Sequence, residues 1–521
     1  MTIESFGRLV VSIVLLSSVA INQATFSQEL EVADEVLPNI LLIMADDMGY
    51  TDLGSFGSEI RTPNLDALAF EGIRLTNFHA GPACSQTRAM FISGTYTHLA
   101  LNTEGGGRAG GILRDTVLAF PKLLQEAGYH TYMVGKWHNG RTAEQSPAAH
   151  GFESSIALMG GADVYFRDGT ASRATYLENG ESVDLPIDSY ATTFYTDRLL
   201  AYLRANEGDG QPFFAWYTPT SPHWPLQVPE DYLDLYAGEY DAGYEELLER
   251  RLARAEELDA IPDGYSLQNY PRTGRWSELS EEDRRLESRK MEIYAAMVEH
   301  LDDQVGRLIR YLRESGQYEN TYIFFMSDNG GDASVRQVGE DVDNSLDNIG
   351  RASSYVGLGP WGDVITAPFR WHKGRYNEGG IRVPAFVYHQ SLPNAGSSND
   401  EFLTIMDLVP TLLELGGSTH PGGEYLGQQV LPARGDSFLG LLRGDVSDVD
   451  RAGHAAGWFQ SALYANDWKL VRSSQRGSDD WELYNITEDP SETVDRADTD
   501  SAVLHDLAAE WNRIAEETGF R

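Results

Sequence analysis

The sequence predicts an α/β protein with a large mixed, mostly parallel sheet sandwiched by helices, followed by a small C-terminal α+β subdomain with an antiparallel sheet. Three observations carry this. Continuous apolar runs at 39–45 (NILLIMA), 213–217 (FFAWY) and 321–326 (TYIFFM) suit strands buried on both faces. Segments of helical period lie between them. Beyond about residue 440 the texture changes to short strand-like stretches separated by turns.

Taken in order, residues 1–27 read as a secretory signal: Arg8 gives a positive start, LVVSIVLLSSVA at 9–20 an apolar core, and small residues follow near 24–27. That core is too short for a membrane span, and no other segment approaches one, so a periplasmic or secreted protein without a stable membrane span is expected. A main domain over 28–440 and a C-terminal subdomain over 441–521 follow.

After the first strand, 64–71 reads as a short helix and 73–78 as a strand. Pro82 and its small neighbours suit a turn into a helix over 87–93, and 116–127 is helical with Gly128 as its stop. A strand at 129–134 delivers the sequence GKWHNG. The polar, Gly-rich stretch 153–186 reads as surface excursions, 192–204 as an amphipathic helix, and 230–275 as an insertion with a helix at 244–257. Ser280 and Asp283 resemble a capping box before a long helix that keeps Met291, Tyr294, Met297, Leu301, Val305 and Leu308 on one face. The Gly-, Asp- and Ser-rich stretch 331–362 is loop, 378–388 contains a strand and 402–415 is a helix. Short strands at 457–464, 468–473 and 481–484 and a helix at 500–517 close the chain.

Composition limits the partners. Lys and Arg number 40 against 79 Asp and Glu, a net charge of −39. Nucleic acid and anionic membrane surfaces are excluded, and any anionic substrate must be captured by a local cluster of cations. The single cysteine, Cys84, excludes an intrachain disulfide. Placed at a helix start with Arg88 four residues on, its thiol is expected to have a lowered pKa.

Polar groups recur just past strand or loop ends: Asp46-Asp47, Cys84 with Arg88, Lys136 with His138, His223, Asp328-Asn329 and Lys373. Open α/β sheets place ligands at such ends. Three carboxylates and an amide carbonyl form a hard, oxygen-rich set suited to Ca²⁺ or Mg²⁺. Arg88, Lys136 and Lys373, with the two histidines, are the cations that would seat a tetrahedral oxyanion.

These pieces, in this order, resemble the type I sulfatases of the alkaline phosphatase superfamily, and the bacterial arylsulfatases most closely. The resemblance covers about 38–492 and rests on PNILLIMADDMGYTDLGSFG, CSQTRAMFISGTY, GYHTYMVGKWH, SPHWPLQVP, FMSDNGG, HKGRYNEGGIRVPAF and WELYNITEDPSE. It implies an alkaline phosphatase-like sheet and hydrolysis of sulfate monoesters. Asp46, Asp47, Asp328 and Asn329 would be ligands of a divalent metal, Ca²⁺ with Mg²⁺ as the alternative. Cys84 would be oxidised by a formylglycine-generating enzyme to Cα-formylglycine, whose hydrate is the nucleophile. Arg88 would steady that hydrate, and His138 would orient it and help take its proton. Lys136 and Lys373 would hold sulfate oxygens, and His223 would contact sulfate and donate to the leaving oxygen.

The family core usually reads Cys-x-Pro-x-Arg, and this chain has Gln86 at the third place. The modifying enzyme reads that stretch unfolded and extended, where proline fixes the backbone. Two further readings accompany the sulfatase one: a phosphodiester or phosphonate monoester hydrolase of the same superfamily, and a non-catalytic homologue that binds sulfated glycans. Substrate specificity, for a sulfated small molecule or glycan, is expected in the loops at 102–111, 165–173, 230–275 and 331–361.

Overall fold

The structure is a computed structural model that describes residues 37–102, 111–167, 174–262, 264–266, 274–335, 342–449, 457–459, 461–472 and 480–520. The expected signal at 1–27 lies outside the described residues, as do parts of each expected specificity loop.

A ten-stranded sheet organises the fold. Its strands in chain order are β1 (Asn39–Ala45), β2 (Ile73–Leu75), β3 (His130–Lys136), β4 (Ser154–Leu158), β5 (Tyr176–Glu178), β6 (Glu181–Ser182), β7 (Phe213–Thr218), β8 (Thr321–Ser327), β9 (Ala385–Tyr388) and β10 (Ser397–Asn399). Across the sheet they run β10-β2-β9-β8-β1-β7-β3-β4-β5-β6. The centre, from β8 through β1, β7 and β3 to β4, is parallel; β9 runs antiparallel to β8 and β2, and β5 antiparallel to β4. The predicted mixed, mostly parallel sheet is what forms.

Each central strand is buried on both faces, which is why its sequence is apolar throughout rather than alternating. Alternate residues feed two cores. Leu41, Ile43, Ala215, Tyr217, Ile323 and Phe325 face helices α1 (Pro63–Glu71), α4 (Ala191–Ala205), α5 (Tyr244–Glu257) and α6 (Glu281–Glu314). Ile40, Leu42, Met44, Phe214, Trp216 and Phe324 face α2 (Cys84–Ser93), α3 (Phe120–Glu126) and α8 (Leu408–Leu415). A one-turn helix, α7 (Glu378–Ile381), precedes β9. The second core also takes in residues of Ala462–Ala465, Trp468–Val471 and Glu482–Asn485, which with Gly457–Phe459 form a four-stranded C-terminal sheet, and of α9 (Ser501–Glu517). That sheet is antiparallel, as predicted.

Several elements depart from expectation. The polar stretch 153–186 contributes β4, whose Ser155–Leu158 are buried in the main sheet; parallel pairing with β3 on one side overrides the polar flanks. The strand expected at 73–78 divides, because Phe78–His79 leaves the large sheet to pair with Leu403–Thr404. The helix expected at 402–415 starts only at Leu408: Leu403–Thr404 is strand, and Thr404 and Asp407 form a reciprocal capping box over the turn between. The helix over 116–127 shortens to α3, where Pro121 falls in the first turn, the position a missing N–H tolerates. The helix expected over 87–93 starts earlier, at Cys84 itself. The described residues of 331–362 are loop apart from the start of a one-turn helix, Trp361–Ile365. At Ser280 half of the capping box forms: its side chain accepts from the Asp283 amide.

The insertion helix α5 matches its predicted bounds and is tied to the main domain by a buried charge cluster. Arg251 donates to Asp52 Oδ1 at 2.7 Å and to Glu59 Oε2 at 2.7 Å, and Tyr294 from α6 donates to Asp52 Oδ2 at 2.6 Å. Removing one partner of such a pair strands the others in a low-dielectric interior. Arg251→Met is therefore expected to destabilise the protein by about 3–5 kcal/mol, read as a lowered denaturation midpoint.

Candidate active site

The carboxyl ends of β1 and β8, adjacent and parallel with Ala45 opposite Ser327, deliver Asp46-Asp47 and Asp328-Asn329 side by side. The Asp328 amide donates to the Ala45 carbonyl at 3.0 Å, and the Asp47 amide to Asp328 Oδ1 at 3.3 Å. Asp47 adopts φ +68°, a left-handed conformation open to Asp. On the other side, β7 ends in Thr218 and leads to His223, with the Asp46 amide donating to the Ser221 carbonyl at 3.1 Å. The next strand, β3, ends at Lys136.

Helix α2 points its N-terminus into this cluster. Its N-cap, Ala83, offers no side-chain cap, and Cys84 Sγ lies 3.4 Å from Asp46 Oδ1 and 3.7 Å from Asp47 Oδ1. Thr87 holds the turn from inside: its hydroxyl donates to the Asp328 carbonyl at 2.5 Å and accepts from the Gly81 amide at 2.8 Å. Arg88, wholly buried, donates through Nε and Nη2 to Asp328 Oδ2 at 3.1 and 2.8 Å, and through Nη1 to Thr218 Oγ1 at 2.7 Å and to the Lys136 carbonyl.

The predicted residues thus meet, and they meet in pairs. Lys136 Nζ donates to both oxygens of Asp46 at 2.8 and 2.7 Å, and Lys373 Nζ lies 2.7 Å from the Asp47 carboxylate. His223 Nε2 is 3.4 Å from Asp47 Oδ2, while its Nδ1 is 2.6 Å from the Trp224 carbonyl. Asn329 donates to Asp47 Oδ1 at 2.8 Å. His138, at φ +61°, is half-buried and packs against Gly161, and its Nδ1 has no hydrogen-bond partner.

Three cations therefore answer three carboxylates: Lys136 with Asp46, Lys373 with Asp47 and Arg88 with Asp328. Burial alone would deprotonate Lys136 and Lys373, but Asp46 and Asp47 respectively carry them above the ordinary lysine value. Burial and these same lysines hold His138 and His223 well below the ordinary histidine value, so both rings are neutral at pH 7. The expectation for Cys84 is reversed. Burial, reinforced by Asp328, pushes its thiol well above the usual range despite Lys136 and Lys373. Helix position and one guanidinium do not outweigh desolvation.

A cation fits here. Asp46, Asp47, Cys84 and His223 present ligand atoms within 4.8 Å of one another. Asn329 Oδ1 is buried with no hydrogen-bond partner, an acceptor left over by the protein's own network. Burial pushes Asp46 up to about 7 despite Lys136, with Asp328 and Asp47 adding to the push.

Two residues stand in this site that the residue pattern did not single out. Thr218 is the last residue of β7, one step past the apolar run that marked the strand, and it holds Arg88. Asp332 lies 3.7 Å from Lys373 Nζ and accepts from Trp224 Nε1 at 2.9 Å, joining the His223 loop to the Lys373 segment. The carboxylate follows the SDNGG turn closely enough that its spacing could have marked it.

A sheet that gathers carboxylates, lysines and one helix-borne residue at its strand ends defines a hydrolase for anionic esters. The sulfatase family model matches residues 38–418, and the chain belongs to that family. It is a sulfuric ester hydrolase. An uncharacterized sulfatase of Schizosaccharomyces pombe is 38% identical over 94% of this chain and 95% of its own length. The arylsulfatase of Klebsiella aerogenes is 34% identical over 78% of this chain and 93% of its own. Among solved structures, one described in complex with a neocarrahexaose superposes with a TM-score of 0.65 at 24% identity, covering 92% of this chain and 93% of that one. The phosphonate monoester hydrolase of Agrobacterium radiobacter shares the fold at a TM-score of 0.56 and 20% identity, covering 92% of this chain and 96% of that one.

Thr218→Val keeps the shape and removes one acceptor from the Arg88 guanidinium. A hydrogen bond to a charged group is worth about 1.5–3 kcal/mol, so kcat/KM for an aryl sulfate is expected to fall at least roughly tenfold while the melting temperature moves little.

Proposed function

We propose that the protein hydrolyses sulfate monoesters with formylglycine at position 84 and a divalent cation, Ca²⁺ in preference to Mg²⁺, beside it. The observation that carries this is the convergence of Cys84 with Asp46, Asp47, Asp328 and Asn329, four oxygen-bearing side chains of which one keeps an unpartnered buried acceptor. Those four would hold the cation. Bound there, cation and formylglycine hydrate would supply a Lewis acid and an activated nucleophile.

The protein's own residues do the rest. Arg88 fixes the Asp328 carboxylate and the helix that bears position 84. Lys136 and Lys373 present protonated ammonium groups to sulfate oxygens, offsetting charge that the transition state spreads over them. Lys136 is paired with Asp46 and Lys373 with Asp47, two of the side chains that would hold the cation. His223 spends its Nδ1–H on the Trp224 carbonyl and directs Nε2 at the site, so it would donate to the leaving oxygen as the imidazolium, a protonation that a bound anionic ester favours. Burial and neighbouring cations keep His138 neutral, the form in which it can help take the hydrate's proton.

The substrate class is a sulfated small molecule or glycan. One solved structure of similar fold, at 21% identity and a TM-score of 0.63, is described with D-glucosamine-2-N,6-O-disulfate as its substrate. A periplasmic or secreted location is part of the same reading, with 1–27 as its signal and a formylglycine-generating enzyme as maturation partner. Among the described residues no helix is long and apolar enough to cross a membrane.

Mass spectrometry of the peptide spanning Cys84, from protein made with the modifying enzyme, is expected to show the aldehyde. Gln86→Pro should raise the converted fraction. Chelation should abolish turnover of aryl sulfates and Ca²⁺ should restore it. An unmodified thiol with no turnover of any sulfate ester would sink this reading.

A further inference from the structure

A second buried charge cluster lies outside the catalytic machinery, where the C-terminal sheet meets the main domain. Glu378, the first residue of α7, accepts from Lys469 Nζ at 2.7 Å and from the Tyr464 hydroxyl, and lies 3.2 Å from His79 Nε2. Lys469 also pairs with Glu492 at 2.9 Å, and the Glu378 amide donates to Glu492 Oε2 at 3.0 Å. All five side chains are essentially inaccessible. Burial alone would favour a protonated Glu378, but Lys469 and His79 hold it well below the usual carboxylate range, so it is an anion with fixed partners.

This anion sits five residues after Lys373, and the backbone between them leaves no slack. A Cβ on Gly379 would fall 1.9 Å from the Trp371 carbonyl oxygen, and one on Gly380 would fall 2.1 Å from that of Arg375. The start of α7 is thus pressed backbone to backbone on the turn that carries Lys373. The Gly330 amide, next to Asn329, donates to the Gly380 carbonyl at 3.1 Å, and the Lys373 amide to the Gly331 carbonyl at 3.1 Å. Three residues before Lys373 a second anchor runs to the same sheet. Arg370 Nη1 donates to Glu482 Oε2 and to the Glu492 carbonyl, both at 3.3 Å, and to the Tyr484 hydroxyl.

We propose that the C-terminal sheet is a clamp that sets the position of Lys373: Arg370 and Glu378, held at either end of the segment by Glu482, Tyr484, Lys469 and Glu492, are positioning residues for sulfate binding. The sheet touches no reacting atom and acts through the segment it grips. The inference rests on the reading of Lys373 as a sulfate-binding group. It adds a requirement on the last part of the chain, beyond the residues matched by the family model.

The test uses the full chain made with the modifying enzyme, with 4-nitrophenyl sulfate as substrate and inorganic sulfate titrated calorimetrically as a readout independent of turnover. Glu378→Gln and Arg370→Met are each expected to raise KM, and to weaken sulfate binding, roughly tenfold, with kcat lowered as well because Lys373 also meets charge in the transition state. Arg370 is only partly buried, so R370M keeps the test available if E378Q does not fold. In a Lys373→Met background, either substitution is expected to change KM and sulfate affinity by less than about twofold, because the residue it positions is gone. A full tenfold effect in that background, or none in the wild type, overturns the clamp. K373M with unaltered KM and sulfate affinity would overturn the assignment of Lys373 itself, and the clamp's catalytic meaning with it.

Discussion

Three carboxylates buried within reach of one another are the constraint on which this structure turns. Asp46, Asp47 and Asp328 are almost fully enclosed, and charges in that state are tolerated only when paired. Each has one cation: Lys136, Lys373 and Arg88. Those cations come from a neighbouring strand, a late loop and a helix start, so the charge balance closes only when all of these have docked. The parallel centre of the sheet makes this geometry available, because adjacent strands running the same way release their polar residues at the same edge.

The same arrangement reconciles a strongly acidic chain with an anionic ester. A net charge of −39 opposes the approach of sulfate at long range, but salt shortens that range to about 8–10 Å. Inside that distance the groups that meet the ester are Lys136, Lys373 and Arg88, each held in place by a buried carboxylate.

Much of this was legible in the residues. The runs at 39–45, 213–217 and 321–326 gave the central strands because burial on both faces leaves no room for polar alternation. The polar pairs past their ends marked the edge at which a site forms, and the ordered motifs joined positions as distant as Asp46 and Lys373. What was not legible is long-range. β4 looked like surface because its apolar character is short, and only its pairing with β3 makes it core. The thiol of Cys84 looked acidic from its local neighbours, whereas its burial and Asp328, distant in sequence, decide the outcome. Thr218 lies outside the motifs, and Glu378, although inside HKGRYNEGGIRVPAF, carries no role that its local pattern marks; each matters through what it grips after the chain has closed.

The helix that begins at Cys84 has a consequence for how the protein is made. In the folded state Cys84 is 3% exposed and Arg88 is fully enclosed, and both belong to a formed helical turn. An enzyme that reads an extended peptide can reach neither. Oxidation of that residue would therefore have to finish before α2 docks, and every molecule that folds first would be locked out of maturation for good. Two clocks would run against each other during biosynthesis, and the yield of working protein would follow their ratio. Substitutions that hasten closure of the sheet edge could then lower specific activity without touching the finished site.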